Sequence, residues 1–162
     1  MNQFTPESVL EEEKRLRLPY FDYDLAWRIG VAIRDLAMVR NLPISIEVAH
    51  GADPVFYAIL PGATPDNTDW VARKRNVVFR MQHSTLYMRL FCEQTGRNFN
   101  TSYRLPEQDY AAAPGGFPLL LDNGTYIGAV AVSGLPGYED HTLITEALAK
   151  VVASARSGAS AG

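Results

Sequence analysis

The chain has 162 residues, 47% apolar and 20% charged, which is the size and composition of one globular domain with its own core. Fifteen basic against eighteen acidic residues leave a net charge of −3, and a pI near 5.6 argues against a nucleic-acid partner. A single cysteine, Cys92, excludes an internal disulfide framework or a Cys-rich metal site, while the acidic start MNQFTPESVLEEEK is no secretory signal and the Gly- and Pro-broken stretch 123–138 is no membrane helix, so a cytoplasmic protein without a membrane partner is expected.

Thr5-Pro6-Glu7 has the chemistry of a helix start: a hydroxyl cap, a proline in the first turn and an acid at the positive end of the dipole. That helix ends before Pro19. Asp22 caps a second helix, in which Leu25, Ile29, Ile33 and Leu36 recur at three- and four-residue spacing, and Asn41-Leu42-Pro43 closes it. Residues 44–49 alternate as a strand, 50–54 turn, and 55–60 return as the second strand of a hairpin. After a loop at 61–67 the pattern predicts one long helix over 68–94, stopped by Gly96. Residues 97–114 are irregular, with a short helix from Glu107 as one option. Strands at 117–121 and 125–133 flank Asp122-Asn123-Gly124, a tight-turn signal. The second of these is rich in small residues, which implies close packing on both faces. A turn at 134–137 leads to a closing helix over 138–155. The order ααββα(α)ββα predicts an α+β fold: a mainly antiparallel sheet flanked by helices, in one domain over 1–156 with a flexible tail at 157–162.

On a continuous 68–94 helix, Trp70, Val77, Met81, Met88 and Cys92 share one apolar face, and Ala72, Phe79, Leu86 and Leu90 share another. A helix apolar on two sides is covered on two sides, by its sheet and by a second subunit, so a homo-oligomer is expected. Between the faces runs a seam of Arg73, Asn76, Arg80, His83, Ser84 and Tyr87. Seven basic residues and one acid, Glu93, lie between positions 73 and 104, against the sign of the whole chain. Arg73 and Arg80, with Ser84 and Tyr87 as further donors, therefore form a candidate site for an anionic small molecule. The alternative is a solvated face paired with local carboxylates.

His50, His83 and His141 have no metal-binding spacing, so no metal site is expected. Cys92 falls on the apolar face and reads as a packing residue. Gly115-Gly116 leads straight into a strand, and two glycines there permit unusual dihedrals or the close approach of a ligand or another backbone. Backbone N–H groups in the loop 132–137 offer an anion cradle, although Glu139 and Asp140 beside it already carry negative charge.

The run GGFPLLLDNGTYIGAVAVSGLPGYEDHTLITEAL resembles the haem-degrading-domain family, which includes secreted haem-binding proteins and a glycolate-utilisation accessory protein. The matching positions are Gly115, Gly116, Pro118, Gly124, Gly128, Val132, Ser133, Gly134 and Asp140. Trp70-x-x-Arg73-Lys74-Arg75 and the pair Asp140-His141 look closer to a cytosolic branch of it, and the resemblance runs from about residue 21 to 152. It implies a helix–sheet–helix, profilin-like layering, a homo-oligomer and, in some members, haem as a ligand or substrate. The expected function is that of an oligomeric accessory or ligand-binding protein for an anionic small molecule or haem. A haem-degrading enzyme, or an interaction module without a small ligand, is the alternative. If haem binds, Arg73 or Arg80 would meet a propionate and His83 would ligate the iron.

Overall fold

The computed structural model describes residues 3–160. Two hairpins make its sheet: β1 (Ser45–His50) with β2 (Asp53–Ile59), and β3 (Gly116–Leu120) with β4 (Tyr126–Ser133). They join through β1 and β4, giving the antiparallel order β2-β1-β4-β3 with Ser45 opposite Ser133 and Val48 opposite Val130. This is the expected α+β fold. The Asp122-Asn123-Gly124 turn forms as the residue types predict, with Asn123 Oδ1 accepting from the Thr125 N–H at 2.9 Å.

Alternation along the strands decides what covers each face. Ile46, Val48, Phe117, Leu119, Val130 and Val132 point to one side, where α2 (Tyr23–Arg40) and α6 (Glu139–Ser160) bury Ile29, Ile33, Ile144 and Leu148 against them. Ser45, Glu47, Ala49, Ala129 and Ala131 point to the other side, which is polar or small and lies under α3 (Pro65–Met81). Small side chains let α3 approach the sheet closely. Glu47 on this face is 4% exposed and takes both its hydrogen bonds, each 2.9 Å, from Arg75 of α3. Each α-layer therefore has a different glue: apolar burial on one side, an ion pair and small-residue contact on the other.

The predicted 68–94 helix is two helices. α3 ends at Gln82, which is left-handed at φ 58° and returns its N–H to Val78 O. Ser84 then caps α4 (Thr85–Gln94), its hydroxyl accepting from the Tyr87 N–H at 3.1 Å. The break is held from outside by α1 (Pro6–Arg15): the Glu13 carboxylate accepts from the Ser84 N–H and lies 2.8 Å from His83 Nδ1. Apolar periodicity continues on both sides of the break, so the pattern hides it. The cue that marks it is Ser84 standing before a new apolar run.

The break also narrows the ground for a covering subunit on this helix. Val77 packs with Met88, Cys92 and Phe99, and Leu86 and Leu90 pack with Val9, so most of both apolar sides is covered within the chain, while Ala72 and Phe79 are left half-buried. The short helix of the irregular region is α5 (Phe99–Tyr103), not one from Glu107. Asn98 caps it by accepting from the Thr101 N–H. Residues 107–109 are instead tied down by carbonyl contacts to Arg73 and Asn76. At the far end α6 remains helical through Ser160, past the point where a tail was expected; Gly162 and its neighbour at 161 lie outside the described residues.

Candidate functional site

Thr64 caps α3, Pro65 occupies the first turn, and Asn67 Oδ1 accepts from the Thr64 N–H at 2.9 Å. From that fixed start, Asp66, Asn67, Trp70 and Lys74 fall on one stripe, at spacings of three and four. The stripe lines a cavity of about 560 Å³. The opposing wall comes from the end of β4 and the loop into α6, Ser133 to Gly137, with Asp140. Ala113 and Pro114, before β3, and Arg89 of α4 complete the lining. Four segments distant in sequence thus converge on one opening.

At its base Lys74 Nζ lies 3.0 Å from Asp140 Oδ2 and donates to Val132 O at 3.0 Å. The two side chains are only 4% and 5% exposed. Asp140 Oδ1 accepts from the Leu135 N–H at 3.0 Å, and the Gly134 N–H adds to it. The loop that offered an anion cradle does hold an anion, and that anion is the chain's own Asp140. Burial lowers the Lys74 amine below its ordinary range, against the pull of Asp140. Burial likewise raises the Asp140 carboxyl, against Lys74 and the two backbone donors. Burial thus opposes the charged form of both groups, while each partner's charge favours that of the other. An ammonium has three N–H bonds, and the protein uses two of them here.

Gly115 makes this closeness possible. Its φ is +125°, and a Cβ built on it would stand 2.4 Å from Val132 O, 2.8 Å from Lys74 Nζ and 2.9 Å from Asp140 Cβ. The neighbours of Gly116 are Thr85, Val78 and the Lys74 carbonyl, and its N–H donates to Thr85 Oγ1 at 2.9 Å. The close approach expected of this glycine pair is therefore to the chain's own side chains and backbone.

The other residues singled out from sequence are dispersed. Arg73 stacks 4.3 Å over Trp70 and gives two hydrogen bonds, 2.9 and 2.6 Å, to Glu107 O. Arg80 is exposed at the end of α3. His83 sits at the helix break beside Glu13 and packs its ring 4.7 Å from Tyr87, and Ser84 is a buried cap. None of Arg73, Arg80, His83, Ser84, Tyr87, Gly115 or Gly116 lines the cavity described above. Lys74 was legible only as part of Trp70-x-x-Arg73-Lys74-Arg75 and of the basic cluster, and Asp140 as a family position beside the 132–137 loop; nothing local says that positions 66 residues apart will meet.

The model of the family described as HbpS-like haem-degrading proteins matches residues 21–149. A UPF0303 protein of Rhizobium rhizogenes is 46% identical over 138 residues, covering 85% of each chain. The crystal structure of the Ybr137w protein superposes with a TM-score of 0.82 at 24% identity, covering 91% of this chain and 89% of that one. That of a PduOC–haem complex superposes with a TM-score of 0.67 at 16% identity, over 80% and 93%. At those identities the two structures speak for the fold alone, whereas the family match spans most of this chain: the protein belongs to the HbpS-like family.

Proposed function

We propose that this chain binds a small carboxylate-bearing molecule in the cavity between α3 and the β4–α6 loop, as an accessory or ligand-binding member of its family. The observation that carries the reading is the Lys74–Asp140 pair, nearly closed off from water yet lining an open cavity with one N–H unused by the protein. A purely structural pair has no need of an opening beside it. Arg89 adds a second cation to the lining. It is half-exposed and engages Glu93 only through Nε, so its terminal N–H groups can meet a carboxylate. Trp70 supplies a flat apolar wall.

Haem does not fit this cavity. Its lining carries no His, Cys, Met or Tyr to ligate iron. His141 is fully buried between Phe4 and Phe117 and faces Glu12 at 2.9 Å, His83 faces Glu13, and His50 stacks on Phe21. The PduOC–haem complex is a likeness of fold and leaves haem as the competing ligand to be tested.

In a thermal-shift series, lactate and pyruvate at millimolar concentration are expected to raise the melting temperature. A ligand at a hundred times its Kd adds about 2.7 kcal/mol to stability. Arg89→Ala should fold normally and lose most of that shift. No shift from either acid, combined with a saturable Soret change on haem titration, would replace this reading by a haem-binding one.

The homo-oligomer remains part of the proposal on different grounds from the long helix. Trp27, Met38 and Val39 of α2 are 52%, 43% and 83% exposed, and Tyr57 and Ile59 lie exposed on the edge strand β2. Apolar side chains on an unpaired edge and its neighbouring helix suit self-association. Light scattering at low micromolar concentration is expected to give at least twice the 17.9 kDa chain mass, and a monomer there would remove this part.

A further inference from the structure

We propose that Lys74 forms a reversible imine with a small aldehyde or 2-oxo acid held in the cavity, with Asp140 carrying the proton. The inference deepens the small-molecule reading above and rests on it.

The first support is the choice of residue. The chain has twelve arginines and three lysines. Lys14 and Lys150 are exposed on helix surfaces. The other ion pairs that tie separate elements or loops together use arginine or histidine: Arg75–Glu47, Arg40–Glu146, Arg156–Asp122, His83–Glu13 and His141–Glu12. Arginine makes the planar two-pronged bond to a carboxylate and stays charged when buried. The most deeply buried of these pairs uses instead lysine, the side chain whose deprotonated form is a primary amine and so can condense with a carbonyl.

The second support is geometry. Asp140 Oδ2 sits 3.0 Å from Nζ, within reach to accept the proton that leaves the ammonium. Asp140 Oδ1 is fixed by the Leu135 N–H, so the carboxyl is aimed rather than free to rotate. Lys74 and Asp140 both line the cavity of about 560 Å³, and burial shifts both groups in the direction the reaction needs.

The step balances without a redox partner. Proton transfer to Asp140 leaves a neutral amine, whose lone pair forms the N–C bond as the carbonyl π bond breaks. A second proton from the nitrogen and the one held by Asp140 pass to the oxygen, which leaves as water; the C=N bond forms with the third proton on nitrogen, so a protonated imine faces the Asp140 carboxylate. Arg89 would orient the carboxylate of a 2-oxo acid.

Incubation of the whole protein with substoichiometric pyruvate or propanal and sodium cyanoborohydride, followed by peptide mass mapping, tests it. The expected result is one addition, on Lys74, at least tenfold above that on Lys14, Lys150 or the terminal amine. Labelling confined to the exposed amines would overturn the proposal. Lactate cannot form an imine and separates the two readings: if lactate and pyruvate both protect against melting but no Lys74 adduct is trapped, the binding site stands and the imine falls. If neither protects and none is trapped, both fall.

Discussion

Gly115→Ala is expected to lower stability by on the order of 4 kcal/mol, or about 10 °C in melting temperature for a chain of this length. Two effects add. A φ of +125° is one that an alanine adopts only under strain, of order 1–3 kcal/mol. The new methyl would also overlap Val132 O and press on Lys74 Nζ and Asp140 Cβ, so either β4 moves or the ion pair opens. Gly137→Ala is the control: φ is +58° and nothing lies within 4 Å, so backbone strain alone acts, costing about 1–2 kcal/mol. Gly116→Ala should fall between them. Its Cβ meets the buried side chains of Thr85 and Val78 at 2.8 and 2.9 Å and the Lys74 carbonyl at 3.2 Å, but its φ lies outside the left-handed region, so packing alone acts. Equal melting for the Gly115 and Gly137 variants would show that the pair beneath Gly115 is not under the constraint described.

The second large effect lies in the pair itself. Lys74→Met leaves a buried carboxylate with backbone donors but no cation, and should cost about 3–5 kcal/mol near neutral pH. Asp140→Asn leaves a buried ammonium and should cost a similar amount. The double variant carries neither charge, and the amide oxygen still accepts from the Leu135 N–H. It should be no less stable than the worse single variant, which gives a coupling energy at least as large as the smaller single cost, about 3 kcal/mol, in a denaturant double-mutant cycle. Additive losses would reject the coupling. The pH dependence has a definite sign. Burial raises the folded Asp140 carboxyl above 3.8, and in Lys74→Met the principal opposing influence is gone. A carboxyl raised by folding contributes stability below its unfolded pKa and loses it as pH rises through the folded one. The deficit of Lys74→Met should therefore shrink as the pH is lowered from neutrality toward 4.

Local chemistry explains what the sequence discloses and what it hides. Thr5, Asp22 and Asn123 act on backbone within three residues, so their cap and turn roles are written beside them. Val130 and Val132 against Ala129 and Ala131 separate an apolar face from a close-packed one by alternation alone. The break at 82–84 is different. Its apolar spacing mimics a continuous helix, and the residue that stabilises the interruption, Glu13, belongs to another helix 71 positions away. Nothing local in the acidic run at the start says that two of its members, Glu12 and Glu13, turn inward to His141 and to the head of α4. The candidate site depends on the same kind of long-range meeting. Arg73 and Arg80 stand out by charge density; Lys74 belongs to the same basic cluster, and only what it touches sets it apart.

The strand order carries a consequence for how the molecule comes into being. β1 and β4, the central neighbours, are separated by both α3 and α4, so the first hairpin must wait for the second before the sheet has a middle. Closing so large a loop costs entropy before any reward, which places the β1–β4 pairing late in folding. Lys74 is synthesised well before Asp140, and until α6 has emerged from the ribosome the ammonium has no buried partner. A nascent chain lacking its final helix would keep Lys74 hydrated and the underside of α3 loosely docked. The cavity is thus among the last features to be built, and its presence certifies that both halves of the chain have met in register.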